Sequence, residues 1–327
     1  MEKKRSDRSL LIQPLRVEAD RLAHREEARA VGVEDLVEFR VVYTRDVALH
    51  VGLAGPADGE PVVMLHGFPD LWMGWSEQIR PLVEAGYRVI LPDQRGYNRS
   101  EKPAGVRAYR LESLGRDILD LLEALEYEEA HLVGHDWGGA VAWWLAEHHP
   151  GKWKTVSVLN CPPADVMARA LQREFRQFKK SWYILLFQLP RLPEKVASAG
   201  KFRFLEEALR RGSTAGAFSH WEIDLYKEAW KRPGALTGMM NWYRAARSGL
   251  FERRKPEPIR VPAQIIWGKK DLALDPLLVE PSAARCTDVQ VHWVEQAGHW
   301  VQRDAAELVT EKLLQHFHED IISLARH

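Results

Sequence analysis

Val133-Gly134-His135-Asp136-Trp137-Gly138-Gly139 is the stretch whose reading decides the fold. Ahead of it, Glu129-Ala130-His131-Leu132 reads as a short buried strand. Behind it, Ala140-Val141-Ala142-Trp143-Trp144-Leu145-Ala146-Glu147 is rich in helix formers. The order is strand, tight turn, helix, with glycine-x-aspartate-x-glycine at the turn. That is the spacing of a nucleophile elbow. A reactive side chain stands on a strained turn, and glycines occupy the places where a Cβ would clash. Such elbows commonly carry serine; here the central residue is Asp136. An aspartate there has a plainer explanation too, as the cap of the following helix. The meaning of the motif therefore depends on partners elsewhere in the chain.

Composition narrows the field. A chain of 327 residues, 46% hydrophobic and 28% charged, can bury a large core in one large or two medium domains. Lys and Arg total 46, as do Asp and Glu, so the formal net charge is zero. Nucleic acid or an acidic membrane has no support from overall charge. Cys161 and Cys286 lie far apart and outside any metal-type spacing, which fits a reduced, cytoplasmic setting. No apolar run approaches the roughly 18 residues of a membrane span. Behind the basic start, Ser9-Leu10-Leu11-Ile12 is too short for the apolar region of a signal peptide. Residues 1–30 read as a charged extension, partly disordered or a loose helix. His148-His149 and His316-Phe317-His318 look like ligand pairs but lack partnering cysteine or carboxylate spacing; they read as surface. Neither a metal nor a cofactor is expected.

Outward from the elbow, the chain alternates. Residues 37–43 and 47–53 form a predicted hairpin across Thr44-Arg45-Asp46. Strands are expected at 61–65, 87–93 and 154–160, and helices at 75–84 and 111–127. The second helix places Leu114, Ile118, Leu121, Leu122 and Leu125 at helical spacing. Strands alternating with helices predict a mostly parallel sheet flanked by helices. At Cys161-Pro162-Pro163 the rhythm breaks. Helical patterns alone follow, over 165–180, 202–211, 218–231 and 234–247. The alternation returns with a strand at 263–268, a helix near 276–284, a strand at 289–294 and a closing helix over 304–325. The expected organisation is an α/β core of residues 31–161 and 257–327, with an all-helical cap of residues 162–256 inserted.

Three residues follow predicted strands in the order nucleophile, acid, histidine: Asp136, Asp271 and His299. Open α/β sheets build their sites at the carboxyl ends of strands. An aspartate is already ionised at neutral pH and needs no base to attack an sp³ carbon bearing a strained oxygen or a halide. The ester so formed needs water activated by a neutral histidine, oriented by a second carboxylate. Asp275 is an alternative to Asp271, but a helix cap before Pro276 explains it. Arg95 and Tyr97 are expected to pack or hydrogen-bond behind the site.

With these residues in view, the chain resembles the α/β-hydrolase superfamily and, within it, the epoxide hydrolases. The resemblance covers roughly 36–327. It rests on His66-Gly67-Phe68-Pro69, Asp93-Gln94-Arg95-Gly96-Tyr97-Asn98-Arg99-Ser100, Gly134-His135-Asp136-Trp137-Gly138-Gly139, Trp267-Gly268-Lys269-Lys270-Asp271 and Gly298-His299. It implies an α/β-hydrolase fold and an oxyanion hole from the backbone N–H groups of Phe68 and Trp137. It also implies two cap tyrosines that protonate the epoxide oxygen, matched here by Tyr183 in Ser181-Trp182-Tyr183 and Tyr243 in Asn241-Trp242-Tyr243-Arg244. A cis peptide would fit before Pro69. The expected partners are a small apolar epoxide and water, and the expected state is monomer or homodimer. A hydrolytic dehalogenase of haloalkanes or haloacids shares most of these motifs. The haloalkane enzymes, however, resemble one another in a polar Asn where Phe68 stands, and the fluoroacetate enzymes in an Arg where Trp137 stands. A non-catalytic binding protein of the same fold is the third reading. Cys161-Pro162-Pro163 departs from the His-Pro pair expected at the end of the preceding strand.

Overall fold

The computed structural model describes residues 10–14, 18–249 and 256–324. The basic start at 1–9, the end of the helical block at 250–255 and residue 325 of the closing helix lie outside the described residues. One nine-stranded sheet runs through the chain, in the order β1-β2-β3-β5-β4-β6-β7-β8-β9. Its strands are β1 (Leu11–Pro14), β2 (Val37–Tyr43), β3 (Ala48–Ala54), β4 (Glu60–Leu65), β5 (Tyr87–Pro92), β6 (Ala130–His135), β7 (Trp153–Leu159), β8 (Ala263–Gly268) and β9 (Val289–Val294). The first three and the β3–β5 pair are antiparallel, and every other pairing is parallel. β6 and β8 are buried at every position. Helices cover both faces of a parallel sheet, so its central strands read as unbroken apolar runs.

Four α-helices accompany the strands up to the end of β7, namely α1 (Glu18–Ala30), α2 (Ser76–Glu84), α3 (Leu111–Ala124) and α4 (Trp137–His148), and α5 (Ala164–Arg173) follows β7. Leu114, Ile118, Leu121 and Leu122 form the buried stripe of α3. With α5 begins the helical insertion, which continues through α6 (Phe175–Lys180), α7 (Trp182–Phe187), α8 (Leu192–Arg211, two helical segments joined by a kink at Ala199, Gly200, Lys201 and Phe202), α9 (His220–Lys231) and α10 (Ala235–Gly249). After β8 come α11 (Val279–Ala283), α12 (Val301–Asp304) and α13 (Ala306–Leu324).

The insertion is tied to the loops that follow the strands. The Trp230 indole donates to the Pro69 carbonyl (2.9 Å), and that of Trp242 to the Arg95 carbonyl (3.0 Å). Tyr226 donates to Asp70 Oδ1 (2.6 Å), and Lys180 to the Asp271 carbonyl (2.8 Å). These bonds seat the helical block over the carboxyl ends of β4, β5 and β8. We propose that it is a cap, with the boundaries expected from the sequence.

Three expectations need correction. The charged extension over 1–30 is, in its described part, built into the fold. Leu11–Pro14 pairs antiparallel with β2 at the sheet edge, and α1 buries His24 and Ala28. The reason is local to two residues: the His24 ring packs at a tilt against Phe39 and His50, and Glu27 pairs with Arg99 at 2.8 Å. Second, the helix expected over 165–180 is two helices, because Glu174 between them is extended (φ −111°, ψ 101°). Third, His316 is not at the surface. It is 5% exposed, with Nε2 3.3 Å from the Pro262 carbonyl, because α13 lays that face on the core.

Candidate active site

Asp136 sits immediately after β6 at φ 49° and ψ −123°. A non-glycine residue held there costs about 1–3 kcal/mol and persists only where the surroundings enforce it. The enforcement is close packing that glycine alone permits. A Cβ on Gly138 would lie 2.1 Å from the Leu65 carbonyl oxygen, and one on Gly67 would lie 2.4 Å from Asp136 Cβ. The turn thereby lifts the Asp136 carboxylate out of the sheet and against the His66–Pro69 loop. There the backbone N–H of Phe68 donates to Asp136 Oδ1 at 2.8 Å. The Phe68–Pro69 peptide is cis.

His299 and Asp271 reach the same point from two later loops. His299 Nε2 is 3.5 Å from Asp136 Oδ2, and its Nδ1–H donates to Asp271 Oδ2 at 2.7 Å. Asp271 is held by three further donors. Asn160 Nδ2 reaches Oδ2 at 2.7 Å, and the backbone N–H groups of Ala273 and Leu274 reach Oδ1 at 2.7 and 2.9 Å. The carboxylate therefore cannot turn, and it fixes the imidazole tautomer with Nε2 facing Asp136. Asp275 does not compete. It accepts from the Leu277 N–H at the start of a helical turn, with Arg176 and Lys180 each 3.4 Å away.

Charge in this cluster is strongly coupled. Burial disfavours the imidazolium of His299, but the charges of Asp271 and Asp136 outweigh it and raise the group to about 10. Burial pushes both carboxylates up, and the bonds and charge of His299 bring each net below its ordinary value. The resting arrangement is a cation between two anions. His135 is the opposite case. Full burial and the neighbouring His299 lower it to about 3, so it is neutral.

Tyr183 on α7 and Tyr243 on α10 meet above this cluster. Their rings are 5.9 Å apart, and that of Tyr243 lies 5.3 Å from Phe68 and 5.0 Å from Trp137. These are the residues whose N–H groups flank the elbow. Burial raises both phenols well above the ordinary tyrosine value, and the Asp136 charge adds to it. Both side chains therefore stay protonated donors. Arg95 makes two bonds to Asp117 (2.7 and 2.6 Å), and Tyr97 packs on His66 and Trp242.

Sequence reasoning missed three residues. Asn160, at φ 41°, bridges Asp271 and the Gly268 N–H, the latter at 2.8 Å. His135 Nε2–H donates to the His299 carbonyl at 2.9 Å. The Gly212 carbonyl, from the insertion, accepts the His299 N–H at 2.6 Å. Position at a strand end was the one available signal for the first two. Nothing in the local pattern marked Gly212.

Comparison with known proteins places the chain among relatives. Residues 60–306 match the family described as alpha/beta hydrolase fold. The AB hydrolase superfamily protein YfhM of Bacillus subtilis is 42% identical over 282 residues, covering 86% of this chain and 98% of its own. Epoxide hydrolase 2 of Caenorhabditis elegans is 34% identical over 286 residues, covering 86% of this chain and 80% of its own. Among solved structures, an epoxide hydrolase of Bacillus megaterium in complex with an inhibitor superimposes with a TM-score of 0.77 at 26% identity, over 85% of this chain and 99% of that one. The chain belongs to the α/β-hydrolase superfamily and, within it, to the epoxide hydrolase family.

Proposed function

We propose that the protein hydrolyses epoxides to vicinal diols through a covalent ester on Asp136. One observation carries the reading: a largely buried carboxylate, its side chain 13% exposed, is bonded by the Phe68 N–H and faced by His299, and two protonated phenols pack together against the neighbouring Phe68 and Trp137. Asp136 attacks an epoxide carbon and the C–O bond breaks. The departing oxygen takes a proton from Tyr183 or Tyr243 and a hydrogen bond from the other. Water then attacks the ester carbonyl, His299 takes its proton, and the oxyanion is held by the N–H groups of Phe68 and Trp137. The intermediate collapses by breaking the bond between the Asp136 carbonyl carbon and the substrate oxygen; that oxygen takes the remaining proton of the attacking water, the diol leaves, and the carboxylate is restored beside protonated His299.

The charge arrangement supports a division of labour in time. In the resting state His299 is a cation and cannot act as a base. Alkylation turns Asp136 into a neutral ester and removes one of the two anions that hold the proton. Burial, which always opposed the imidazolium, then drives the proton off, where it can make good the one the tyrosines gave. The base is generated by the first half-reaction.

A pH dependence follows. Alkylation needs Asp136 ionised and has no need of neutral His299, so its single-turnover rate should be flat across mid-range pH. Ester hydrolysis should fall as pH falls, because a protonated imidazole cannot accept the water's proton. Its midpoint should lie below the resting value of about 10. Rapid-quench measurement of each half-reaction from pH 5 to 9 distinguishes the two. A sigmoidal fall in the alkylation step itself would contradict the scheme.

The phenols decide between epoxide and halide. An alkoxide leaves poorly without a proton or strong hydrogen bonds, which a phenol of ordinary pKa about 10 supplies; a halide leaves already stable. Single Tyr183→Phe or Tyr243→Phe changes should slow epoxide alkylation by roughly 10²-fold or less, and the double change far more. Ester hydrolysis should be nearly unaffected. A double variant that opens styrene oxide at the wild-type rate would move the dehalogenase reading ahead. Against that reading stands the apolar side chain of Phe68.

A further inference from the structure

The outer face of the insertion carries a second pattern. Phe175, Phe178, Trp182, Leu185, Leu189 and Leu192 follow one another at intervals of 3, 4, 3, 4 and 3 residues. That spacing is helical, and in the structure the six residues are shared among α6, α7, the connection over 188–191 and the start of α8. Here the stripe is exposed: Phe175 by 78%, Trp182 by 56% and Leu185 by 57%. Among the described residues 13 large apolar side chains are exposed, and 7 of them lie between positions 175 and 196. Scattered exposed apolar side chains are normal, whereas a concentration of them on one segment marks a contact surface.

The helices concerned are two-sided. In α7, Tyr183 and Phe187 pack inward, with rings 5.7 Å apart and both against Tyr243. Trp182 and Leu185 occupy the exposed side. In α6, Gln177 is buried, donating to the Ala273 carbonyl and accepting from the Asp275 N–H, while Phe175 and Phe178 are exposed. The inner faces explain why these helices fold. They do not explain the outer ones.

Charge accompanies the stripe. Residues 173–196 hold 6 Lys or Arg and 2 Glu, a local net charge of +4 on a chain whose total is zero. Arg173, Arg176, Lys179, Arg191 and Lys195 are all exposed. Of these groups, Glu194 is taken by Arg244 at 2.8 Å, and Arg176 and Lys180 each lie 3.4 Å from Asp275, which leaves Arg173, Lys179, Arg191 and Lys195 against Glu174. Electrostatic attraction at a surface acts over about a Debye length, roughly 8–10 Å, so the patch and not the molecular average decides it.

We propose that this face of the cap docks on the surface of an anionic lipid bilayer, with the apolar stripe seated among the headgroups and the flanking cations on lipid phosphates. A tryptophan and two phenylalanines beside a row of Lys and Arg have the composition of an interfacial helix. No described helix is long and apolar enough to cross a membrane, so the contact is peripheral. A second copy of the chain is the weaker occupant. A two-fold contact through this face sets its cations against themselves. Because α7 carries the stripe on one side and Tyr183 on the other, docking brings the catalytic cleft to where apolar epoxides concentrate. That last consequence rests on the epoxide reading; the docking does not.

The test uses the full chain and vesicles, with no turnover needed. Sedimentation with phosphatidylcholine vesicles containing about one-third phosphatidylglycerol should carry the protein down, and pure phosphatidylcholine should not. Trp182→Ser/Leu185→Ser should weaken partitioning by at least about tenfold. Arg173→Glu/Lys179→Glu should abolish the preference for anionic lipid and its salt sensitivity. Both variants should keep wild-type circular dichroism and wild-type turnover of a water-soluble epoxide, but lose rate on a long-chain epoxide dissolved in anionic vesicles. Equal binding to neutral vesicles, or no binding to either, overturns the proposal. So does a wild-type dimer in sedimentation velocity that the Ser variant makes monomeric, which assigns the face to a second copy.

Discussion

A His299→Gln variant should take up one equivalent of epoxide per chain and then stop. Asp136 keeps its bond from the Phe68 N–H, and even with His299 gone an ordinary carboxylate, of pKa about 3.9, is ionised at neutral pH. Alkylation therefore continues. Glutamine fills much of the imidazole's room but cannot accept a proton, so hydrolysis of the ester should fall by about 10³-fold or more. Intact-mass spectrometry should show a shift equal to the mass of the epoxide on nearly every molecule. Peptide mapping should place it on Asp136. Residual turnover with no adduct would take the role of base away from His299, and an adduct elsewhere would move the nucleophile.

Loss of Asp136 should be more complete. Asp136→Ala should fold, as judged by circular dichroism, and turn over no detectable epoxide, because no other ionised carboxylate is free at that point. Asp271 is tied to four donors, one of them His299 Nδ1–H on the ring edge opposite the Nε2 that faces Asp136. The wild type carries the sharper form of the same test. In a single turnover in ¹⁸O-water, the first diol should contain unlabelled oxygen drawn from Asp136, and the label should remain in the enzyme. Label in the diol alone after one turnover would mean direct attack by water, with Asp136 as a general base.

Much of the fold was legible because its signals are local. Buried parallel strands such as β6 and β8 need apolar side chains on both faces, and the sequence shows them as unbroken runs. The stop at Cys161-Pro162-Pro163 and the helical patterns beyond it announced the insertion. What misled was equally local. The basic, polar stretch before residue 30 has no core-like pattern, and its place in the sheet comes from pairing with β2 and from His24 packing on Phe39 and His50. A single helix over 165–180 was a fair reading of periodicity; Glu174 breaks it where the chain turns to lay Gln177 on the Ala273–Asp275 loop.

By itself the sequence determined which residues stand at strand ends and in what order. Glycines at 67, 134 and 138, with an aspartate among them, encode a turn that steric exclusion alone dictates. It could not determine which distant groups complete the site. Asn160 lies 111 positions from Asp271, His135 lies 164 from His299, and the Gly212 carbonyl that takes the His299 N–H belongs to the insertion. Each of these bonds depends on strand register and on how the insertion is seated, and neither is written in any short window. The same holds for the charge of His299. An isolated histidine titrates near 6.5, and only the convergence of two carboxylates on one buried ring raises it to about 10, because an ion's stability in a low-dielectric interior is set by its neighbours in space.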